Sequence, residues 1–202
     1  MEYLILGFFT GLSLILAIGA QNIFVIEQGL RKQHVFLVCL ICSLSDFILI
    51  FLGIFLFHYF IQYFNYIIEL IFNILLIIFL INFIFLKIKS FNSKVNFNDK
   101  VFSISKSDIF FKTLAFTYLN PHVYSDTVFF LGNFSKNFIL NQKIFFGIGA
   151  VIASFLFFFL IGYMSQYFSK YAQSEKTWKI INIFIICFMS LITILVIEEV
   201  IN

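Results

Sequence analysis

A polar run interrupts a long apolar stretch of this chain: Leu119-Asn120-Pro121-His122-Val123-Tyr124-Ser125-Asp126. Proline lacks a backbone N–H and clashes with the carbonyl four residues before it, so the run predicts a helix that breaks near 117–121. In lipid, a broken helix is tolerated only where protein or a water-filled cavity satisfies the freed backbone groups. Because the carboxylate of Asp126 follows at once, the run predicts a substrate site built at a helix break.

The composition is that of an integral membrane protein. Of the 202 residues, 62% are hydrophobic and 11% are charged, and the mean hydropathy is +1.04. A soluble domain would be about half apolar and about one-quarter charged. Six spans of about 20 residues would use most of the length and leave no room for a separate soluble domain. The N-terminal Met1-Glu2-Tyr3 lacks the positive region of a signal peptide, so the first apolar stretch is predicted to be a retained helix.

Six apolar stretches are predicted to be transmembrane helices: 3–26, 35–60, 66–86, 109–131, 143–168 and 178–197. The segment between the third and the fourth, 87–107, is expected to be a loop that contains five lysines: Lys87, Lys89, Lys94, Lys100 and Lys106. The predicted fold is therefore an all-α membrane protein of six transmembrane helices, with three-helix halves at 1–86 and 108–202.

Basic residues predict the orientation of the chain in the membrane. The loops that follow helices one, three and five, together with Lys112 just beyond the second of them, carry eleven lysines and arginines, whereas the opposite side has only Lys136 and Lys143. The positive-inside rule therefore predicts that the lysine-rich loop is cytoplasmic and that both termini face outward. A five-helix alternative, in which one hydrophobic segment is re-entrant or peripheral, would move one terminus to the other side.

The two halves share a weak pattern in their first helices. The runs Ile18-Gly19-Ala20-Gln21-Asn22-Ile23-Phe24 and Tyr118-Leu119-Asn120-Pro121-His122-Val123-Tyr124 each place a glycine or proline beside side-chain amides. A carboxylate, Glu27 or Asp126, follows each within about two turns. Three helices per half reverse the chain direction, so the halves are predicted to form an inverted repeat with the substrate site where the broken helices meet.

Two acidic residues are predicted to be functional. Asp46 lies well inside helix two, where an ionised carboxylate costs about 2.5–3.5 kcal/mol and should face the bundle interior. Asp126 lies about one turn beyond the proline, and intramembrane acids are functional by default. Glu27 lies at the end of helix one, where an interfacial charge near Arg31 and Lys32 is the simpler interpretation.

Side-chain amides of Gln21, Asn22 and Asn120 place hydrogen-bond donors and acceptors beside the breaks. Such amides often only hold helices together, at about 0.6 kcal/mol each, so substrate binding and a structural role are both open. A half-helix that begins near Pro121 would present its positive end to an anion such as an α-carboxylate. For His122, a hydrogen-bonded structural role is favoured over titration.

Several small residues are predicted to serve packing. Cys39 and Cys42 have C-x-x-C spacing in an apolar helix and are expected to be small packing residues, with no disulfide framework in the chain. Gly7 and Gly11, and a stripe at 147, 150 and 154, permit close helix approach within the chain or in a homo-oligomer. No phosphate loop, metal cluster or nucleophile–base arrangement rises above chance, so neither a cofactor, a metal nor a nucleic acid is expected.

The motifs resemble the LysE/ArgO family of basic amino acid exporters, and its arginine exporter branch most closely. The resemblance rests on Gly19-Ala20-Gln21-Asn22-Ile23-Phe24-Val25-Ile26-Glu27-Gln28-Gly29-Leu30-Arg31, Ser45-Asp46, the run from Leu119 to Thr127, and Trp178-Lys179-Ile180-Ile181-Asn182. It covers nearly the whole chain. One position departs from the pattern, because the family usually has proline where Ala20 stands, and this weakens the expectation of a break in helix one.

The resemblance implies export of L-arginine, or L-lysine, across the bacterial inner membrane. Asp46 and Asp126 would bind the cationic side chain, and amides with a half-helix end would bind the α-carboxylate. The predicted substrate-binding residues are Asp46, Asp126, Asn120, Pro121, Gln21 and Asn22. Moving a +1 solute outward costs about 2.3 kcal/mol per 100 mV, so proton antiport through Asp46 and Asp126 is the hypothesis for the driving force.

Two other classes of function stay open. The chain would export neutral amino acids or another small cation if the acids do not select arginine. It would be an intramembrane enzyme if Asp46 and Asp126 formed an acid pair, which needs both carboxyls within a few Å of a shared water. A non-catalytic membrane scaffold would give no reason for two intramembrane acids.

Overall fold

The computed structural model describes residues 1–16, 19–63, 66–89, 105–120, 123–173 and 175–201, and all regular elements among them are helical. The elements are α1 (Glu2–Ile15), α2 (Ala20–Arg31), α3 (Val35–Tyr63), α4 (Tyr66–Lys89), α5 (Lys106–Tyr118), a π-helix (Tyr124–Phe130), α6 (Leu131–Phe134), α7 (Leu140–Phe168), a 3-10 turn (Ser169–Gln173) and α8 (Glu175–Ile201). The prediction of an all-α protein is confirmed.

The segment between α4 and α5 is shorter than the predicted lysine-rich loop, 87–107. Lys87 and Lys89 lie in the last turn of α4, and Lys106 is the first residue of α5. The apolar pattern of α4 continues past Leu86, so the helix carries these two lysines with it. Lys94 and Lys100 lie outside the described residues.

Four helices are each long and apolar enough to cross a membrane: α3, α4, α7 and α8. A fifth span is obtained if α1 and α2, which meet at 83°, count as one broken helix. The predicted fourth span is divided between α5 and the elements after Tyr124, so within the described residues it forms no continuous helix of spanning length. The chain is a multi-pass membrane protein, and the number six stays a prediction.

Helix α4 shows how the sequence matches a lipid environment. It exposes large apolar side chains at intervals of four and three residues: Ile67, Ile71, Ile74, Ile78, Ile81 and Phe85. Its opposite face buries Asn73, Leu76, Leu80 and Lys87. A helix that exposes an apolar stripe and buries its polar residues is suited to hydrocarbon, because lipid does not penalise the stripe and the polar groups are kept away from lipid.

Helices α3 and α7 form the centre of the bundle and pack against each other. Helix α7 also packs along α1 and α2, while α3 packs along α5, the π-helix and α6. Helices α4 and α8 pack against each other. These principal contacts are symmetric. If spans one, two and three of the prediction are exchanged for spans four, five and six, the same pairs of spans are in contact.

The glycine pair of α1 is used inside the chain. A Cβ on Gly11 would lie 2.9 Å from Ala150 Cα of α7, and a Cβ on Gly7 would meet the backbone of Phe146. The sequence left packing within the chain and packing in an oligomer both open, and the structure places these glycines against α7. Small residues here let two helix backbones approach closely, which is how apolar helices gain packing energy in lipid.

Candidate functional site

The first helix break lies between Ile15 and Ala20. Gly19 precedes α2 in an extended conformation (φ −115°, ψ −177°), so the chain turns by 83° between the two half-helices. The side chain of Asn22 reaches back across the break, where its Nδ2 donates a hydrogen bond of 3.1 Å to the Ile15 carbonyl at the end of α1. The break therefore forms without a proline at position 20, and the expectation that Ala20 weakens it was wrong.

The second helix break follows Tyr118, the last residue of α5, inside the predicted range. The chain resumes as a π-helix at Tyr124, whose Oη donates a hydrogen bond of 2.9 Å to the Tyr118 carbonyl. Each break is thus crossed by one side chain that satisfies a carbonyl freed at the end of the preceding half-helix. Pro121 and His122 lie outside the described residues.

The element after the second break is a π-helix, a rare geometry. It contains Asp126 and Thr127, and Thr127 Oγ1 donates a hydrogen bond to the Val123 carbonyl one turn earlier. π-helical turns are uncommon and occur frequently at functional sites. The sequence predicted a broken helix here, and it carried no signal that distinguishes a π-helix from an α-helix.

A cavity of about 330 Å³ lies between the two breaks. Its polar wall contains five of the six predicted substrate-binding residues: Gln21, Asn22, Asp46, Asn120 and Asp126. Its apolar wall is formed by α1, α7 and α8: Leu14, Ile15, Phe158, Ile192, Leu195 and Val196. A site with a few polar groups on one side of an apolar pocket is typical of small-molecule binding.

Asp46 reaches this cavity from α3 and is only 3% exposed. Ser154 Oγ of α7 donates a hydrogen bond of 2.7 Å to Asp46 Oδ2. No lysine or arginine of the described chain forms an ion pair with Asp46. The sequence predicts only a packing role for Ser154, because no local signal connects it with a carboxylate 108 positions away.

The other polar groups of the cavity differ in their surroundings. Asp126 is partly buried on the π-helix, and Asn120 is partly buried just after α5. Gln21 is 7% exposed, and its buried Nε2 has no hydrogen-bond partner among the described residues. Asn22 has its Nδ2 engaged across the first break, so this amide shapes the cavity wall. No group of three His, Cys, Asp or Glu side chains able to hold a metal occurs in the described part of the chain.

Comparison with known proteins matches residues 12–199 to the family described as LysE type translocator. The chain belongs to the LysE type translocator family. It is similar to the arginine exporter protein ArgO of Salmonella typhimurium and of Salmonella paratyphi A, with 31% identity over 186 residues in each case. The ArgO of Salmonella enteritidis is 30% identical over 191 residues. Each alignment covers 92% of this chain and 88% of the relative, and no solved structure matches.

Membership of this family confirms the predicted resemblance and makes the chain a transporter. The intramembrane acid-pair enzyme is therefore set aside. The cavity of the translocator joins distant parts of the chain, since Asp46 and Asp126 come from different halves of the sequence.

The surroundings of Glu27 in this LysE type translocator differ from those that the sequence predicted. Glu27 is 4% exposed, so it is buried inside the protein and is not an exposed charge at a helix end. Its Oε1 accepts from Arg31 Nε at 2.8 Å and pairs closely with Lys87 Nζ of α4, which is 6% exposed. The interpretation was wrong because the end of α4 covers the end of α2, and a contact over 60 positions leaves no trace in local sequence.

Proposed function

We propose that this translocator exports L-arginine, and L-lysine as a second substrate, from the cytoplasm across the bacterial inner membrane. The relatives that share 30–31% identity with it are named arginine exporters. The observation that carries the proposal is the cavity at the two helix breaks, which two carboxylates and three amides line.

The chemistry of arginine is complementary to this cavity. A guanidinium has five N–H donors and pairs best with carboxylates, which Asp46 and Asp126 provide. The substrate's own carboxylate would bind amide donors of Gln21 and Asn120 and the positive ends of the half-helices, including the one near Pro121. Asn22 bridges the first break through its hydrogen bond to the Ile15 carbonyl, and it affects substrate binding by fixing the shape of the cavity there.

The transport cycle we propose is alternating access by two inverted three-helix repeats, which gives six spans. Its support is the packing pattern, because exchange of α1–α2 with α5–α6, α3 with α7 and α4 with α8 preserves the principal contacts. Rocking of one such repeat against the other would expose the cavity to each side in turn.

The orientation follows from the basic residues and predicts a labelling pattern. Single cysteines placed at Lys32 and at 95 should react with a membrane-impermeant thiol reagent only in everted vesicles, because both positions face the cytoplasm. A cysteine at Lys136 should react only in right-side-out vesicles. Cys187 is exposed and is replaced by alanine in every variant. Reaction of positions 32 and 136 from the same side would contradict the six-span topology.

Proton antiport supplies the driving force in this proposal. Burial makes a charged carboxylate costly, so Asp46 and Asp126 would take protons from outside when the substrate cation leaves. In everted vesicles whose lumen is made acidic, arginine should accumulate severalfold faster than in vesicles without a gradient. Vesicles from cells that lack their own exporter and this chain are the control. Accumulation indifferent to the gradient would remove the proton step, and no accumulation of arginine would overturn the proposed function.

A further inference from the structure

A second buried carboxylate lies outside the cavity, in a cluster where basic groups outnumber it. Glu27 pairs with both Arg31 and Lys87. Glu27 Oε2 is buried and has no hydrogen-bond partner among the described residues. Two cations thus share one oxygen of this carboxylate while its other oxygen accepts no hydrogen bond from the described residues, and a buried acceptor without a hydrogen bond costs free energy.

A chain of aromatic rings connects this cluster with the cavity. Lys87 Nζ lies 5.2 Å from the centre of the Phe83 ring, and Phe83 meets the edge of Phe116 at 5.1 Å. Phe116 in turn stacks on Phe24 at 4.7 Å, and both of these rings are fully buried. Phe24 follows the cavity residue Ala20 by four positions, and Phe116 precedes Asn120 by four. The stacked pair therefore lies between the cavity and the basic cluster.

The end of α4 is held in place by these side chains. Helix α4 packs broadly against α8 but only slightly against α5. Its last turns reach α2 through the Glu27–Lys87 pair and reach α5 through Phe79 and Phe83, which both contact Phe116. Loss of the Lys87 pairing would therefore remove the link between the end of α4 and α2 and leave this end held to the stacked rings only by Phe79 and Phe83, without disturbing its packing on α8.

We propose that Glu27 is a second binding site for the cationic side chain of the substrate, on the cytoplasmic side of Phe24 and Phe116. This inference rests on the proposed function. Lys87 occupies this site in the closed state. An arginine guanidinium can use both oxygens of Glu27 at once, whereas Lys87 and Arg31 both use Oε1. Arrival of substrate displaces Lys87, and α4 then releases the rings that separate Glu27 from the cavity.

The closed state can be tested without transport. Gly19 lines the cavity, and a Cβ there meets no described atom within 4 Å, so Gly19→Cys in a Cys187→Ala background is the probe. In everted vesicles, Lys87→Met should raise the rate of its reaction with an impermeant methanethiosulfonate severalfold. Glu27 keeps its Arg31 partner in this variant, so folding is preserved. Lys89→Met, an exposed lysine two residues along α4, is the matched control and should change nothing.

The role of Glu27 is tested by arginine affinity. Lys87→Met should lower the half-saturating arginine concentration for transport in everted vesicles, because the Lys87 ammonium no longer competes with arginine for Glu27. Adding Glu27→Gln to it should raise that concentration by about tenfold, the loss expected for one charge-assisted hydrogen bond. Equal concentrations in the single and double variants, or a Gly19→Cys labelling rate unaffected by Lys87→Met, would overturn the inference. A wild-type protein that exports no arginine would overturn the proposed function instead, and the labelling measurement keeps the two failures apart.

Discussion

Asp46→Asn should lower arginine export by about 10- to 100-fold while the protein stays in the membrane at its normal level. Asparagine keeps the shape of the side chain and can still accept the hydrogen bond from Ser154 Oγ. It loses the negative charge, and a hydrogen bond to a charged group contributes about 1.5–3 kcal/mol, where 1.4 kcal/mol is tenfold. The measurement is the initial rate of arginine uptake into everted vesicles, normalised to the amount of protein.

Two comparisons make this prediction specific to charge. Citrulline is the neutral isostere of arginine, so the ratio of arginine to citrulline transport should fall in Asp46→Asn. Ser154→Ala removes the neighbouring hydrogen bond and leaves the charge, so arginine export should fall far less. An equal loss of arginine and citrulline transport in Asp46→Asn would favour the alternative of a neutral amino acid exporter, in which Asp46 is structural.

The sequence located most of the cavity because polar groups are costly in lipid. Asp46, Asn120 and Gln21 lie in apolar stretches, and such groups persist there only when they face protein or a cavity. That single argument predicted that they share a site, and the structure brings them to one cavity. The second break was predictable for a similar reason, since proline in a membrane helix has few structural solutions.

The remaining features depend on helix partners, which local sequence does not record. Small residues show where a helix can be approached closely, but not which helix does so, and Ser154 therefore gave no sign of its bond to Asp46. Glu27 was placed at an interface because its neighbours in sequence are basic, whereas its burial comes from Lys87 on α4. The first break was underestimated because the hydrogen bond that bridges it, from Asn22 Nδ2 to the Ile15 carbonyl, is not recorded in the local sequence pattern.

Gly53→Ala should displace the π-helix that carries Asp126 and lower both the stability and the export rate of the protein. Gly53 of α3 faces the π-helix, and a Cβ there would lie 2.6 Å from the Val128 carbonyl oxygen and 2.8 Å from that of Thr127. Backbone atoms cannot rotate away as a side chain can, so the π-helix must shift. Overpacking of this kind costs about 1–3 kcal/mol and here also moves Asp126 and Thr127 in the cavity wall.

The matched control is Gly147→Ala on α7. A Cβ at Gly147 would come within 3.0 Å of the ends of the Ile54 and Phe51 side chains, which can rotate. Alanine also favours a helix over glycine by up to about 1 kcal/mol, so this variant should keep its melting temperature in detergent and its export rate. Gly53→Ala should lose both. Equal melting temperatures for the two variants would mean that α3 and the π-helix are not held in backbone contact, and the position of Asp126 in the cavity wall would then lose its structural support.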